Sequence, residues 1–182
     1  MYEDVLIAGF GGQGIIFTGK LLAYAGLKEG KEVVYYPSYG AEMRGGTANC
    51  TVVISDSMIP SPIISSPSNA IIMSNPAFLK FSSRVKRGGR IVVNTSLVNT
   101  EINRQDIQIV KVPANQIAEE LGSGKTANMV ALGAWISLSK VVTLESLISS
   151  FKDVISKTKR TLLPINKKSL RKGWEFVSLL DR

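Results

Sequence analysis

The stretch that most constrains this chain is Gly9-Phe10-Gly11-Gly12-Gln13-Gly14, which matches G-x-G-x-x-G. It lies between an apolar run at residues 5–8 (VLIA) and a segment with helical periodicity at residues 15–29. The run reads as a buried strand of a parallel sheet. Glycines in such a turn permit positive φ and let backbone N–H groups approach an anion, and the helix N-terminus adds a favourable partial charge. Along the helix, Ile15, Gly19, Leu22 and Gly26 share one face. Its two glycines cost helix propensity but let the helix lie close on a sheet. Residues 33–36 (VVYY) form the next strand, ended by Pro37. Strand, helix and strand fit the size of one βαβ unit.

A dinucleotide site of this kind places a carboxylate at the end of the second strand, on the ribose hydroxyls. Here that position reads Tyr35-Tyr36-Pro37-Ser38, and Glu32 precedes the strand. Three readings stay open on the residues alone: a free NAD site, a packing turn with no ligand, and a contact to another phosphate or cofactor.

A second glycine-framed segment follows, Tyr39-Gly40-Ala41-Glu42-Met43-Arg44-Gly45-Gly46. In a doubly wound sheet it sits at the same carboxyl edge as the first turn. Glu42 and Arg44 are costly to bury unless paired or liganded. They form either one ion pair that clamps the loop, or an arginine aimed at phosphate or carboxylate with the glutamate orienting it.

Further strands are expected at residues 47–55, 70–73, 90–93 and 107–112, the last nearer an edge because apolar and polar residues alternate there. Helices are expected at about 76–85, at 116–121 and at 126–140, where apolar residues on nearly all sides mark a central helix. Another follows a Thr143 cap, with a stripe of Leu144, Leu147, Ile148, Phe151, Val154 and Ile155. After Pro164 comes a final basic helix or arm, at about 164–182. The expected fold class is α/β: a doubly wound, mostly parallel, Rossmann-like sheet with helices on both faces. The 182 residues are expected to form a single domain.

Composition removes whole classes of chemistry. The chain has no histidine and one cysteine, Cys50. The usual zinc sites, a cysteine-ligated iron–sulfur cluster and a His-based triad cannot be built from it. No disulfide is possible within the chain, which fits a reducing, cytoplasmic setting. Cys50, in a β-branched run, reads as a small buried hydrophobe. No stretch is long and apolar enough to span a membrane, and the N-terminus shows no secretory signal. The net charge is +8, and residues 151–172 carry eight lysines and arginines against one acid, Asp153. That segment lacks the interleaved aromatics of a nucleic-acid surface, so it reads as a solvated face or a subunit-docking surface.

Taken together, GFGGQGI after the first strand, SYGAEMRGGT about twenty-five residues on, and KTANMVALGA resemble the gamma subunit of the 2-oxoacid:ferredoxin (acceptor) oxidoreductases. The resemblance runs from residue 5 to about 173 and includes the closing stretch from Asn166 to Gly173, similar to the family's N-x-x-A-L-x-x-G. Ala41 stands where the family usually has proline. The YGAEMRGG form is most like the 2-oxoglutarate type and the 2-oxoisovalerate type.

The resemblance implies an enzyme that decarboxylates a 2-oxoacid oxidatively, transfers the acyl group to coenzyme A and passes two electrons to ferredoxin. It further implies thiamine diphosphate and iron–sulfur clusters on partner alpha, beta and ferredoxin-like subunits. The gamma subunit has a part in coenzyme A handling and assembly, and is inactive alone. The chain itself is expected to hold no catalytic residue, no metal and no cofactor, and to contact neither nucleic acid nor membrane. The residues expected at the coenzyme A or subunit seam are Gly9, Gly11, Gly12, Gln13, Gly14, Tyr39, Glu42, Arg44, Gly45, Gly46 and Asn128. The competing expectations are a stand-alone Rossmann-type nucleotide-binding protein and a purely structural subunit.

Overall fold

The computed structural model describes residues 1–38, 47–101 and 103–179. Among these residues six strands form one sheet: β1 (Tyr2–Phe10), β2 (Glu32–Ser38), β3 (Thr47–Ser55), β4 (Asn69–Ile72), β5 (Arg90–Asn94) and β6 (Gln108–Val112), in the order β2-β3-β1-β4-β5-β6. β1, β4, β5 and β6 pair in parallel, and β3 is antiparallel to both its neighbours. β2 therefore runs in the same direction as β1, and only β3 is reversed. The mostly parallel sheet is as expected.

Two details differ from the sequence reading. β1 and β2 are not neighbours, as a simple βαβ unit would have them, because β3 lies between them. Pro37 does not end β2, which continues to Ser38. β2 is an edge strand with one unpaired side, where a missing N–H is tolerated.

The α-helices are α1 (Ile15–Lys28), α2 (Asn75–Phe81), α3 (Ala114–Glu120), α4 (Ala127–Ser139), α5 (Leu144–Val154) and α6 (Leu163–Ser178). They cover both faces, but unequally. α1, α3, α4, α5 and α6 pack on the face carrying Val5, Ile7, Val52, Ile71 and Val92. α2 packs on the other, with Ala77, Phe78 and Phe81 against Leu6, Ala8, Ile72 and Val93. The alternation along each strand divides these two sets.

α1 lies close on β2 and β3 through its two glycines. A Cβ on Gly26 would come within 2.8 Å of Val33 Cγ2, and one on Gly19 within 3.0 Å of the Tyr35 ring. Every residue of α4 from Ala127 to Ser137 is buried, which makes it the central helix its composition suggested. α6 crosses over α4 at Gly133 and Gly173, where each glycine faces the backbone of the other helix. Thr143 caps α5, its Oγ1 accepting from the Ser146 N–H at 3.1 Å.

Candidate functional site

β1 delivers its carboxyl end into the glycine turn. Gln13 N–H donates to Phe10 O at 3.2 Å and closes the turn. Gly14, the N-cap of α1, has φ 73°, a left-handed conformation that a β-carbon disfavours, and no side chain caps the helix. Among the described residues, then, the first-turn N–H groups of α1 have no side-chain acceptor. Gly11 and Gly12 are exposed beside them, and no described atom lies within 4 Å of where a Cβ on Gly12 would stand.

The side chain of Gln13 folds back beneath the turn. Its Oε1 accepts from Phe10 N–H at 2.6 Å, and its Nε2 donates to Met73 O at 3.1 Å. It thus ties the end of β1 to the residue after β4. Gly9 leaves room for this: a Cβ there would run into Gln13 Oε1 and lie 2.9 Å from Met73 Cβ.

Asn128, in the first turn of α4, reaches the same place. Its Nδ2 donates to Thr18 Oγ1 at 3.0 Å and Gly14 O at 3.3 Å. A Cβ on Gly14 would sit 2.5 Å from that nitrogen, so glycine is required there for contact as well as for φ. Asn128 Oδ1 is buried and lacks a hydrogen-bond partner among the described residues. Gly9, Gly11, Gly12, Gln13, Gly14 and Asn128 thus come together from β1, the turn and α4.

Tyr39, Glu42, Arg44, Gly45 and Gly46 lie outside the described residues. Their flanks are placed: Ser38 pairs with Asn49, and Thr47 pairs with Phe10. The chain therefore leaves β2 and re-enters β3 at the edge that carries the glycine turn.

Sequence reasoning missed three residues at this edge. Ser74, directly after Met73, is fully buried, and its Oγ has no partner among the described residues. Asn75 Oδ1 accepts from the Thr100 hydroxyl at 2.9 Å and from the Asn99 N–H at 3.1 Å. Lys80 Nζ donates to Thr47 Oγ1 at 3.3 Å and brings a cation towards the start of β3. The sequence signal was the serine before Asn75-Pro76, a helix-start pattern at the end of a strand.

The geometry bears on the open readings of the turn. The ribose-clamping carboxylate of a dinucleotide site belongs on the strand beside β1. That place is held by β3, which begins Thr47-Ala48-Asn49 and carries no acid. Cys50 is buried against α1, its thiol donating to Ile15 O at 3.5 Å, and burial pushes it up to about 12. No group of three His, Cys, Asp or Glu side chains among the described residues could hold a metal ion. No described helix is long and apolar enough to cross a membrane.

Comparison with known proteins gives this arrangement its context. Residues 4–176 match the family model for pyruvate ferredoxin/flavodoxin oxidoreductase. The chain is 37% identical over 176 residues to ketoisovalerate oxidoreductase subunit VorA of Methanothermobacter marburgensis, covering 95% of this chain but 36% of VorA. It thus spans about a third of that relative's length. It is 38% identical over 160 residues to 2-oxoglutarate synthase subunit KorC of Methanocaldococcus jannaschii, covering 86% of each.

Among solved structures, the gamma subunit of a keto/oxoacid ferredoxin oxidoreductase from Geobacter sulfurreducens superposes with a TM-score of 0.84 at 28% identity, over 97% of this chain and 99% of that one. The 2-oxoglutarate:ferredoxin oxidoreductase of Magnetococcus marinus, solved with 2-oxoglutarate, coenzyme A and succinyl-CoA bound, superposes at 0.88 with 25% identity, over 98% of this chain and 31% of that one. With the family match spanning nearly the whole chain, and the same fold in a named gamma subunit, the chain belongs to the pyruvate ferredoxin/flavodoxin oxidoreductase family.

Proposed function

We propose that this chain acts as the gamma subunit of a 2-oxoacid:ferredoxin oxidoreductase of the 2-oxoglutarate type, and that its glycine-turn edge handles coenzyme A. The overall reaction takes a 2-oxoacid, coenzyme A and two oxidised ferredoxins to acyl-CoA, carbon dioxide, two reduced ferredoxins and a proton. The observation that carries the reading is the start of α1, capped by no described side chain, beside exposed Gly11 and Gly12, with the flanks of the Glu42–Arg44 segment at the same edge. Such a place suits a phosphate of coenzyme A. In this reading Arg44 supplies a planar, permanently charged fork for phosphate, and Glu42 orients it. Gln13 and Asn128 hold the turn in shape.

Thiamine diphosphate and the iron–sulfur clusters belong to the alpha, beta and ferredoxin-like partners. The residues of this chain do not fit a cluster: it has no histidine, and its single thiol is buried and raised to about 12. The similarity to KorC favours 2-oxoglutarate, and a cytoplasmic setting goes with the reducing chemistry.

A second reading, in which the turn serves packing alone, draws on the internal bonds of the Gln13 amide. Co-expression with the partner subunits tests both. The complex is expected to reduce a viologen dye only with a 2-oxoacid and coenzyme A present, and the isolated chain is expected to be silent. Coenzyme A protecting Gly11–Gly14 amides from hydrogen exchange in the complex supports the first reading. A complex that turns over with no such protection supports the second.

A further inference from the structure

The cations of the basic segment at residues 151–172 take no part in the site described above. Lys152 on α5 and Lys167, Lys168, Arg171 and Lys172 on α6 line two hollows beside α6. One hollow of about 260 Å³ runs between α5 and α6, with Lys152, Lys167 and Arg171 on its walls against one acid, Glu145, and Ile148, Phe151 and Leu163 among its apolar lining. A second, of about 500 Å³, lies beyond α6 and is lined by Lys168, Arg171, Lys172 and Glu175 with Leu121 and Pro164. Arg171 borders both, so α6 forms a ridge with cations on either flank.

The acids nearby do not neutralise this ridge. Asp153, the segment's one acid, is engaged 2.7 Å from Lys28 Nζ on α1. Glu175 lies 3.8 Å from Lys172 and pairs with no other described cation, and Glu145, exposed on the wall of the first hollow, has no cation within 4.0 Å among the described residues. Lys152, Lys167, Lys168 and Arg171 have no carboxylate within 4.0 Å among the described residues. Beside the cations, Trp174 is 38% exposed and Leu179 65% exposed. Arg171 and the partly exposed Trp174, three residues apart on α6, are of the residue types enriched at protein-binding surfaces. Single-stranded nucleic acid would call for several exposed aromatic platforms. Trp174 is the one such ring among the described residues of α6.

We infer that the α5–α6 ridge is a docking surface for an acidic face on another subunit of the same enzyme. The unpaired positive charge of the ridge calls for an acidic occupant, and the inference rests on reading the chain as a subunit. Long-range attraction to an acidic face would steer the subunits together and set their register.

The test compares the full chain with Lys152→Glu/Lys168→Glu/Arg171→Glu, each tagged and co-expressed with the partner subunits. A control carries Lys86→Glu/Arg87→Glu/Lys111→Glu, which makes the same charge change on other surfaces. Circular dichroism and thermal melts establish that each variant is folded. Retention of the partners is read by native mass spectrometry and sizing at 50 and 500 mM KCl. The ridge variant is expected to bind its partners at least about tenfold more weakly, with a flatter salt dependence, while the control stays at the wild-type level.

Equal retention by wild type and ridge variant overturns the docking proposal and leaves the subunit reading intact. A wild-type chain that binds no partner overturns both. Fluorescence anisotropy with a labelled 20-mer single strand and a 20-bp duplex at 150 mM KCl provides the other arm. Micromolar binding that only the ridge variant loses, with partners still retained, would assign the ridge to nucleic acid and sink the proposal.

Discussion

Replacing Gly173 by alanine is expected to loosen the α4–α6 crossing. On propensity alone the change is favourable by about 1 kcal/mol, since alanine outranks glycine inside a helix. The crossing opposes it. A Cβ at Gly173 would lie 2.7 Å from Val130 C and 2.8 Å from Val130 Cα, with the Val130 carbonyl oxygen closer still. Relaxed carbon–carbon contact needs about 3.5–4.0 Å, so the helices must part by roughly 1 Å. The opposing atoms are backbone and cannot swing aside.

Overpacking of this kind costs typically about 1–3 kcal/mol, and a gap of this size forfeits roughly a quarter to a half of each contact along the seam. Taking the cost near about 3 kcal/mol and the propensity gain near about 1 leaves a net loss of about 2 kcal/mol. For a domain of this length that lowers Tm by roughly 4–8 °C, measurable by circular dichroism at 222 nm. Gly133→Ala should behave alike, because its Cβ would meet Leu170 C and Trp174 N at 2.9 Å. The double variant should fall short of the sum, since helices already parted accept the second methyl more cheaply. An unchanged or raised Tm for Gly173→Ala would refute the backbone contact and leave propensity as the governing effect.

Three further outcomes are expected. Gln13→Ala removes the bridge from Phe10 to Met73 and should cost about 1–2 kcal/mol in urea unfolding, with earlier amide exchange at the end of β4. Arg44→Ala should leave the fold intact but lower acyl-CoA formation by the reconstituted complex about 10–100-fold, from the loss of about 1.5–3 kcal/mol of charged hydrogen bonding, and Arg44→Lys should restore it in part. Wild-type activity in both Arg44 variants would make that segment packing material. Cys50 should resist a thiol-reactive dye at pH 8 until the protein is unfolded. Its thiol, raised by burial to about 12 from an ordinary 9.0, also makes stability fall as pH rises above about 9, where the unfolded chain releases the proton first.

Much of this architecture was legible locally. An apolar run, a glycine turn and a periodic segment determine a strand, a tight corner and a helix, because each depends on φ/ψ preference and on which face is apolar. Gly19 and Gly26 marked the side of α1 that presses on the sheet, and the apolar character of residues 126–140 marked α4 as buried. The family motif could be read the same way, and the structure gives a cause for its last position. Gly173 is where α6 meets the α4 backbone, and Ser169, in the motif's alanine position, hydrogen-bonds the Thr126 hydroxyl at 2.7 Å.

Strand order was decided only by the folded whole. Nothing within residues 33–55 announces that β3 will turn back and occupy the place beside β1, displacing β2 to the edge. Apolar alternation reports that a strand is buried, not which strand it pairs with, and the partners are chosen by the combined packing of both sheet faces. The roles of site residues followed the same rule. Gln13 was visible as a polar group in a glycine turn, but its partner Met73 is 60 residues away and meets it only because β4 pairs with β1. Asn128 reaches Gly14 across 114 residues because α4 is driven into the core beside α1. Local chemistry supplied the groups, and long-range burial, which no short window of sequence encodes, decided which of them meet.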